Sequence, residues 1–296
     1  MWIILTILAV FFQTFRNLEQ KNLAKKVDAI TSSWARFMLP FPIAIITVCL
    51  TFQNFNTIFF QHILINAFFQ MSGSIFLIKA MQAKNFSIAV TLGKTETIQA
   101  LIIGYFFYNL TILPIEIILF FLSFFGVVLM SDFNFKNHQE FINSIKNPRN
   151  FYGILCGSCF AITAFNLKDA TQILINENYN NFLASTIVLL WTIFFQNIFF
   201  IFIKIKEKSL ISSINSLWQT QNRKSFLIAS IFSFIGSFFW YSAYSFGEVL
   251  YVKILSQIEI IIAILISIYY FKEKHNFKNT SGIFITLSSI IAILSL

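Results

Sequence analysis

The chain has 296 residues, of which 57% are hydrophobic and only 11% are charged. This composition excludes a soluble globular protein and indicates a chain with many membrane spans, so the lipid bilayer is its first expected partner. The net charge of +9 comes mainly from lysines and arginines in the predicted loops. Membrane topology accounts for those residues, and we therefore expect no nucleic-acid partner.

Hydrophobic runs separated by polar loops predict an all-α integral membrane protein with ten transmembrane helices. The spans lie near residues 2–20, 31–50, 58–79, 86–108, 113–131, 151–169, 181–203, 226–246, 249–271 and 279–296. Five spans fall in residues 1–132 and five in residues 151–296, with a polar connecting loop at 133–150. The sequence therefore predicts two five-helix halves.

Two spans and one loop carry further signals. Pro40 and Pro42 should kink or partly unwind the second span. In the sixth span, the C-x-x-C spacing that begins at Cys156 overlaps Gly153 and Gly157, which favours close helix packing over redox chemistry. The loop from Lys204 to Ser225 contains a short apolar helical face and predicts an interfacial helix, or else a plain linker.

Basic residues concentrate in the odd-numbered loops, whereas the even-numbered loops hold only Lys168 and, at a span start, Lys253. By the positive-inside rule, the odd-numbered loops face the cytoplasm and both termini face outward. Loops that are equivalent in the two halves differ in charge, and each half has an odd number of spans. The two halves are therefore expected to be inverted-topology repeats.

An internal repeat supports this division. Sliding the chain by 163 positions superposes identical residues without a gap. The superposed pairs include Gly73 on Gly236, Ser74 on Ser237, Leu92 on Leu255, Glu96 on Glu259 and Ala100 on Ala263. Such self-similarity identifies a repeat architecture.

Three stretches carry a resemblance to a known group of proteins. They are Lys94-Thr-Glu96-Thr-Ile-Gln99 in the fourth span, Leu255-Ser-Gln257-Ile-Glu259 in the ninth, and Phe271-Lys-Glu273 directly after it. With ten spans in two halves, the chain resembles the EamA-type family of the drug/metabolite transporter superfamily over essentially its whole length. The resemblance implies transport of small molecules across a membrane.

Glu96 and Glu259 are the leading site candidates. Each lies near the middle of a predicted span, where a carboxylate costs about 2.5–3.5 kcal/mol on insertion scales and is functional by default. Facing one central cavity, they would suit proton exchange or a cationic or amine-bearing substrate. Alternatively, they form a structural pair satisfied by Lys94 or by hydroxyl groups. If they are functional, Glu96→Gln and Glu259→Gln should each give stable but transport-dead protein.

Lys94 aligns with Gln257 in the repeat, and both are predicted site residues. On one continuous helix, residues two apart point about 200° away from each other, so Lys94 should not pair with Glu96. Lys94 would instead reach Glu259 or bind a carboxylate of the substrate.

Further polar and aromatic residues fall on neighbouring spans. Four residues of the first two spans either line the cavity or snorkel to the membrane interface: Gln13, Arg16, Trp34 and Arg36. Four residues of the third and eighth spans either cage the substrate or serve ordinary helix packing: Gln70, Trp240, Tyr241 and Tyr244.

These features favour a secondary-active transporter of small metabolites in the inner membrane, working by alternating access. Amino-acid-like or amine solutes are the candidate substrates, with proton or exchange coupling. The alternatives are a passive facilitator and, less favoured, an integral-membrane enzyme.

The sequence has no phosphate-binding loop and no nucleophile motif. His62, His138 and His275 lack ligand spacing, so no metal site is indicated. We likewise expect no catalytic residues and no cofactor. Oligomeric state is not predicted.

Overall fold

The computed structural model describes residues 1–52, 55–83, 86–130, 139, 143, 147–273 and 277–295. This part of the chain is 88% helix and contains no strand. Its helices are α1 (Trp2–Ala24), α2 (Ala29–Met38), α3 (Phe41–Thr51), α4 (Thr57–Ala83), α5 (Phe86–Gly93), α6 (Glu96–Phe107), α7 (Pro114–Met130), α8 (Pro148–Asn176), α9 (Asn181–Lys206), α10 (Leu210–Trp218), α11 (Thr220–Phe246), α12 (Val249–Leu255), α13 (Glu259–Tyr269) and α14 (Phe277–Leu294).

Most of these helices are suited to a bilayer. Seven described segments are long and apolar enough to cross it: Trp2–Ala24, Thr57–Ala83, Phe86–Phe107, Asn150–Asn176, Asn181–Lys206, Thr220–Phe246 and Val249–Tyr269. The pair α2 and α3 adds an eighth if it counts as one span. Helix α7 and the Thr280–Leu294 part of α14 are shorter apolar helices. The chain is thus a multi-pass membrane protein.

The second predicted span is bent where the prolines predict it. Helices α2 and α3 meet at an angle of 58° across Leu39 and Pro40. Proline lacks a backbone N–H, and its ring would clash with the preceding turn of a continuous helix. Pro40 therefore caps α3 and Pro42 lies in its first turn, where the missing N–H has no intrahelical partner to lose.

The two halves of the chain pack into each other. The most extensive helix contacts join α1 to α11, α4 to α8 and α7 to α14, and each pair takes one helix from each half. Small residues permit the close approach: a Cβ atom at Gly73 of α4 would lie 3.1 Å from Phe160 of α8. At the repeat-equivalent Gly236 of α11, it would lie 3.2 Å from Phe12 of α1. The glycines thus occupy equivalent contacts.

Contacts between the loops lie at two faces of the molecule. At the odd-loop face, where the odd-numbered predicted loops lie, Lys21 Nζ is 2.9 Å from Glu273 Oε1. At the even-loop face, Lys168 Nζ is 2.6 Å from Glu248 Oε1. The loop from Lys204 to Ser225, on the odd-loop side, contains the helix α10 and is therefore not a plain linker; that this helix lies at the membrane interface stays a prediction. The connecting loop at 133–150 falls mostly outside the described residues, as do Lys136 and Lys146 with their predicted loop charges.

Candidate functional site

The fourth and ninth spans are both interrupted, at repeat-equivalent positions. Lys94 and Thr95 separate α5 from α6, and a short 3-10 turn, Ser256–Ile258, separates α12 from α13. Glu96 is therefore the first residue of α6, and Glu259 the first residue of α13. The positive end of a helix dipole favours a carboxylate at this position.

The interrupted spans run antiparallel past each other. Helix α5 contacts α13, and α6 contacts α12. The first half of each span thus lies beside the second half of the other, as two elements related by an axis in the membrane plane would lie. This arrangement brings both interruptions, with their carboxylates, to the same depth in the protein.

Two reciprocal ion pairs connect the halves at the interruptions. Lys94 Nζ lies 2.7 Å from Glu259 Oε2, and Lys253 Nζ lies 2.7 Å from Glu96 Oε2. All four side chains are at least nine-tenths buried. Each pair joins a residue of the first half to one of the second. Removing one partner of a buried ion pair strongly destabilises the folded protein.

Lys94 also lies 3.4 Å from Glu96, measured from Nζ to Oε1. The expectation that these two residues cannot pair is therefore wrong. It assumed a regular α-helix, whereas Lys94 and Thr95 form a tighter turn, in which the N–H of Thr95 donates to Leu92 O and that of Thr97 to Lys94 O, both at 3.2 Å. The tighter turn changes the directions of the two side chains, and the long lysine side chain brings its ammonium group within reach of Glu96.

Helix α1 provides the hydrogen bonds that orient Glu259. Gln13 Nε2 donates to Oε2 at 2.7 Å, and Asn17 Nδ2 donates to Oε1 at 2.9 Å. Arg16 in turn donates to Asn17 Oδ1 at 3.2 and 2.7 Å, and Trp240 Nε1 donates to Gln13 Oε1 at 2.8 Å. Glu259 is consequently fixed by two amides as well as by Lys94.

Arg36 differs from the lysines in having no acidic partner. Its guanidinium donates to Ser233 Oγ at 3.1 Å and to Ser74 Oγ at 2.5 Å, and lies 4.6 Å from the centre of the Phe37 ring. None of the described Asp or Glu carboxylates forms an ion pair with it. Arg36 is only 3% exposed, and the cation Arg16, itself 1% exposed, acts on it electrostatically, so its charge is buried without a described counterion.

The predicted aromatic and amide residues divide between the site and the packing around it. Trp240 and Tyr244 stack, with ring centres 5.8 Å apart. Gln70 Oε1 accepts hydrogen bonds from Gln196 Nε2 at 2.6 Å and from the Tyr241 hydroxyl at 3.2 Å. Trp34 instead donates to Asn197 Oδ1 at 2.9 Å within the hydrophobic core.

A central cavity has a volume of about 60 Å³. The predicted site residues that line it are Gln13, Arg36, Gln70, Lys94, Glu96, Trp240, Tyr241, Tyr244 and Glu259. Gln257 is not among the lining residues: it is 1% exposed, and its Oε1 accepts a hydrogen bond from the hydroxyl of Ser123 in α7. The position equivalent to Lys94 therefore contacts a neighbouring helix instead of the cavity.

A family model described as the EamA-like transporter family matches residues 1–132 and again residues 150–295. The chain belongs to the EamA-like transporter family. This confirms the resemblance found in the sequence, and the family's name indicates transport of small molecules across a membrane. No curated protein matches the chain.

A solved structure described as the crystal structure of a protein is similar to this EamA-like transporter, with a TM-score of 0.62. The alignment covers 99% of this chain and 96% of that one at 9% sequence identity. At this identity, the likeness shows the fold alone.

Lys253 is the main residue of this EamA-like transporter that the sequence analysis missed. The charge pattern places Lys253 at the start of a span, among the loop charges. In the structure, Lys253 is only 4% exposed and lines the cavity. Besides its ion pair, its Nζ donates to the carbonyl of Phe160 at 3.1 Å. A signal was present, because Lys253 is the basic residue within the apolar run 249–271, and a charge in a membrane span is a site candidate by default.

Helix α8 packs directly against the interruption of the fourth span. A Cβ atom at Gly157 would lie 2.8 Å from Thr95 Oγ1 and 2.9 Å from the backbone N of Glu96. The glycine therefore lets α8 approach the backbone of the turn, in agreement with the packing interpretation of this stretch. Cys156 and Cys159 on the same helix are free thiols, and Cys156 lines the cavity.

Within the described ranges, no group of three or more His, Cys, Asp or Glu side chains could hold a metal ion. His62 lies 3.0 Å from Asn166, measured from Nδ1 to Oδ1, near the even-loop face. His138 and His275 lie outside the described residues.

Proposed function

We propose that this EamA-like transporter is a secondary-active transporter of small metabolites that works by alternating access. The observation that carries the proposal is the pair of reciprocal ion pairs at the interruptions of two antiparallel, repeat-equivalent spans. Interrupted helices at equivalent positions of two repeats are typical of transporter binding sites near the middle of the bilayer. The substrate would bind in the cavity between them.

The proposed architecture is ten spans in two inverted five-helix repeats, residues 1–132 and 151–296, joined by 133–150. In this arrangement α7 and α14 form the fifth and tenth spans, and α2 with α3 forms the second. The antiparallel fourth and ninth spans support it, because equivalent spans of inverted repeats run in opposite directions. We place the protein in the inner membrane, with the basic odd-loop face toward the cytoplasm.

One contact at each face ties the ninth span to the first half of the chain. At the odd-loop face, Glu273 accepts hydrogen bonds from the Phe86 backbone N–H at 3.0 and 3.1 Å, which ties the residue after the ninth span to the start of the fourth. At the even-loop face, the Tyr251 hydroxyl donates to Glu116 Oε1 at 2.5 Å, which ties the start of the ninth span to the start of the fifth. Alternating access requires a closing contact at each face, and the two contacts must not break at the same time.

The ion pairs also provide a route to coupling. A proton or a charged solute that neutralises Glu96 or Glu259 would release the lysine that holds the opposite half. Proton coupling and exchange coupling both act through this step, and a transporter of amino-acid-like or amine solutes could use either. The binding energy would then shift the population between the state that is closed at the odd-loop face and the state that is closed at the even-loop face.

Cys156 offers a native probe of this mechanism, because it lines the cavity and is fully buried. In a background with Cys49→Ser and Cys159→Ser, sealed vesicles of each orientation would be treated with a membrane-impermeant thiol reagent. Glu273→Gln should increase labelling from the odd-loop face and decrease it from the even-loop face, and Tyr251→Phe should do the opposite.

Glu248→Gln is the matched control, since its carboxylate is 61% exposed and forms neither of the two closing contacts. Simultaneous increases from both faces would indicate the passive facilitator instead of alternating access. Once a substrate is known, accumulation against its gradient separates the transporter from the facilitator. Product formation without net transport would support the membrane enzyme.

A further inference from the structure

The cavity of this EamA-like transporter carries an excess of positive charge. Lys94 and Lys253 balance Glu96 and Glu259, so that two positive and two negative charges cancel among its lining residues. Arg36 then leaves a net charge of +1 in the lining. A buried charge without a counterion is costly, so natural proteins pair it or use it for binding.

The groups around Arg36 do not compensate its charge. Both hydrogen-bond acceptors are serine hydroxyls, Ser74 and Ser233, which are neutral. Arginine presents a planar fork of donors that matches a carboxylate or a phosphate, and it is the preferred residue for such anions. The missing partner is therefore an anion.

A second buried group in the same cavity also lacks a partner. Thr163 is 5% exposed and lines the cavity, and its hydroxyl makes no hydrogen bond. Buried hydroxyls are nearly always hydrogen-bonded, and the cost of leaving one unpaired is about 1–3 kcal/mol. This hydroxyl is available to donate to a bound solute.

The carboxylates of the site, in contrast, are already occupied. Glu259 contacts Lys94, Gln13 and Asn17, and Glu96 contacts both lysines. A solute with only an amine would have to displace an ammonium group already held at 2.7 Å. A solute with an anionic group would instead meet Arg36, whose described hydrogen-bond partners are neutral.

We propose that the substrate carries a carboxylate or a phosphate and that Arg36 is its binding group. This proposal rests on the central cavity being the transport site and narrows the substrate class to organic anions, including zwitterions. The apolar part of the solute would lie against the remaining lining, which includes Leu77, Val90 and Leu167. Such a solute would supply the counterion that Arg36 does not find among the described residues.

The test measures binding to the purified full-length protein in detergent, without a gradient. Phenylacetate, phenethylamine and phenylacetamide share an apolar ring but are anionic, cationic and neutral, and inorganic phosphate is a fourth probe. Phenylacetate or phosphate should raise the melting temperature with increasing concentration, because a ligand that binds the folded state stabilises it. A response to phenylacetate assigns a carboxylate, and a response to phosphate assigns a phosphate.

Arg36→Gln should weaken binding of the stabilising anion at least ten-fold while leaving the ligand-free melting temperature unchanged or higher. Arg223→Gln, which removes an exposed arginine, should bind as the wild type does. If Arg36→Gln does not fold, Arg36→Lys keeps the charge but loses the planar fork and should still bind more weakly than the wild type.

Stabilisation by phenethylamine alone, no response to either anion, or unchanged anion affinity in the Arg36 variant would each overturn the proposal. None of these results bears on whether the two faces open alternately. Conversely, failure of the Cys156 labelling experiment would leave anion binding at Arg36 intact, so the two proposals fail separately.

Discussion

The reciprocal ion pairs give a quantitative prediction for Glu96→Gln. The substitution leaves Lys94 paired with Glu259 at 2.7 Å, but it deprives Lys253 of its carboxylate. The Lys253 side chain is 5% exposed and keeps the Phe160 carbonyl at 3.1 Å as a remaining partner. Its ammonium group is therefore left buried without a counterion.

Removing one partner of a buried ion pair costs about 3–5 kcal/mol, and the remaining carbonyl places this case at the lower end, about 3 kcal/mol. For a large chain, 1 kcal/mol lowers the melting temperature by about 2 °C or more, so we expect a decrease of about 6 °C. The structure thus changes the expectation that Gln would be tolerated at normal stability. Loss of transport is still expected.

A double-mutant cycle with Lys253→Met isolates the interaction, because it removes both charges together. The double variant should melt well above Glu96→Gln and recover at least half of the lost stability. Lys168→Met is the control: it breaks the Lys168–Glu248 pair, whose glutamate side chain is 61% exposed, and should cost only about 0–1 kcal/mol. Thermal unfolding of purified protein measures all four.

A stabilising role of the Lys253–Glu96 pair is refuted if Glu96→Gln melts at the same temperature as Lys168→Met. It is also refuted if the double variant loses as much stability as the two single variants lose together. Either result would mean that the Lys253–Glu96 contact does not stabilise the folded state. Transport loss with unchanged stability would then return Glu96 to a purely functional role.

Two further predictions concern topology and packing. Because the odd-numbered loops are basic, a cysteine placed between Lys204 and Ser225 should be protected from impermeant thiol reagents in intact cells; ready labelling would reverse the orientation. Gly157→Ala places a methyl group 2.8 Å from Thr95 Oγ1, so it should lower the melting temperature and transport more than Ser158→Ala, at a half-buried neighbour. Equal melting temperatures for the two variants would contradict the close contact.

The sequence alone determined the membrane class and the family. A bilayer requires long apolar segments, so composition and run length are sufficient to identify spans. Glu96 and Glu259 stood out for the same reason, since a charge inside an apolar run is costly and visible. Their superposition by 163 positions showed that the chain repeats, before any contact was known.

The tertiary structure decided which charges meet. Lys94 reaches Glu96 where the fourth span tightens into a turn between α5 and α6, and this turn packs against Gly157 of a distant helix. Lys253 pairs with Glu96 because the interrupted spans run antiparallel, which no local pattern specifies. Side-chain partners depend on contacts between segments far apart in the chain, whereas hydropathy and repeats are properties of the chain itself.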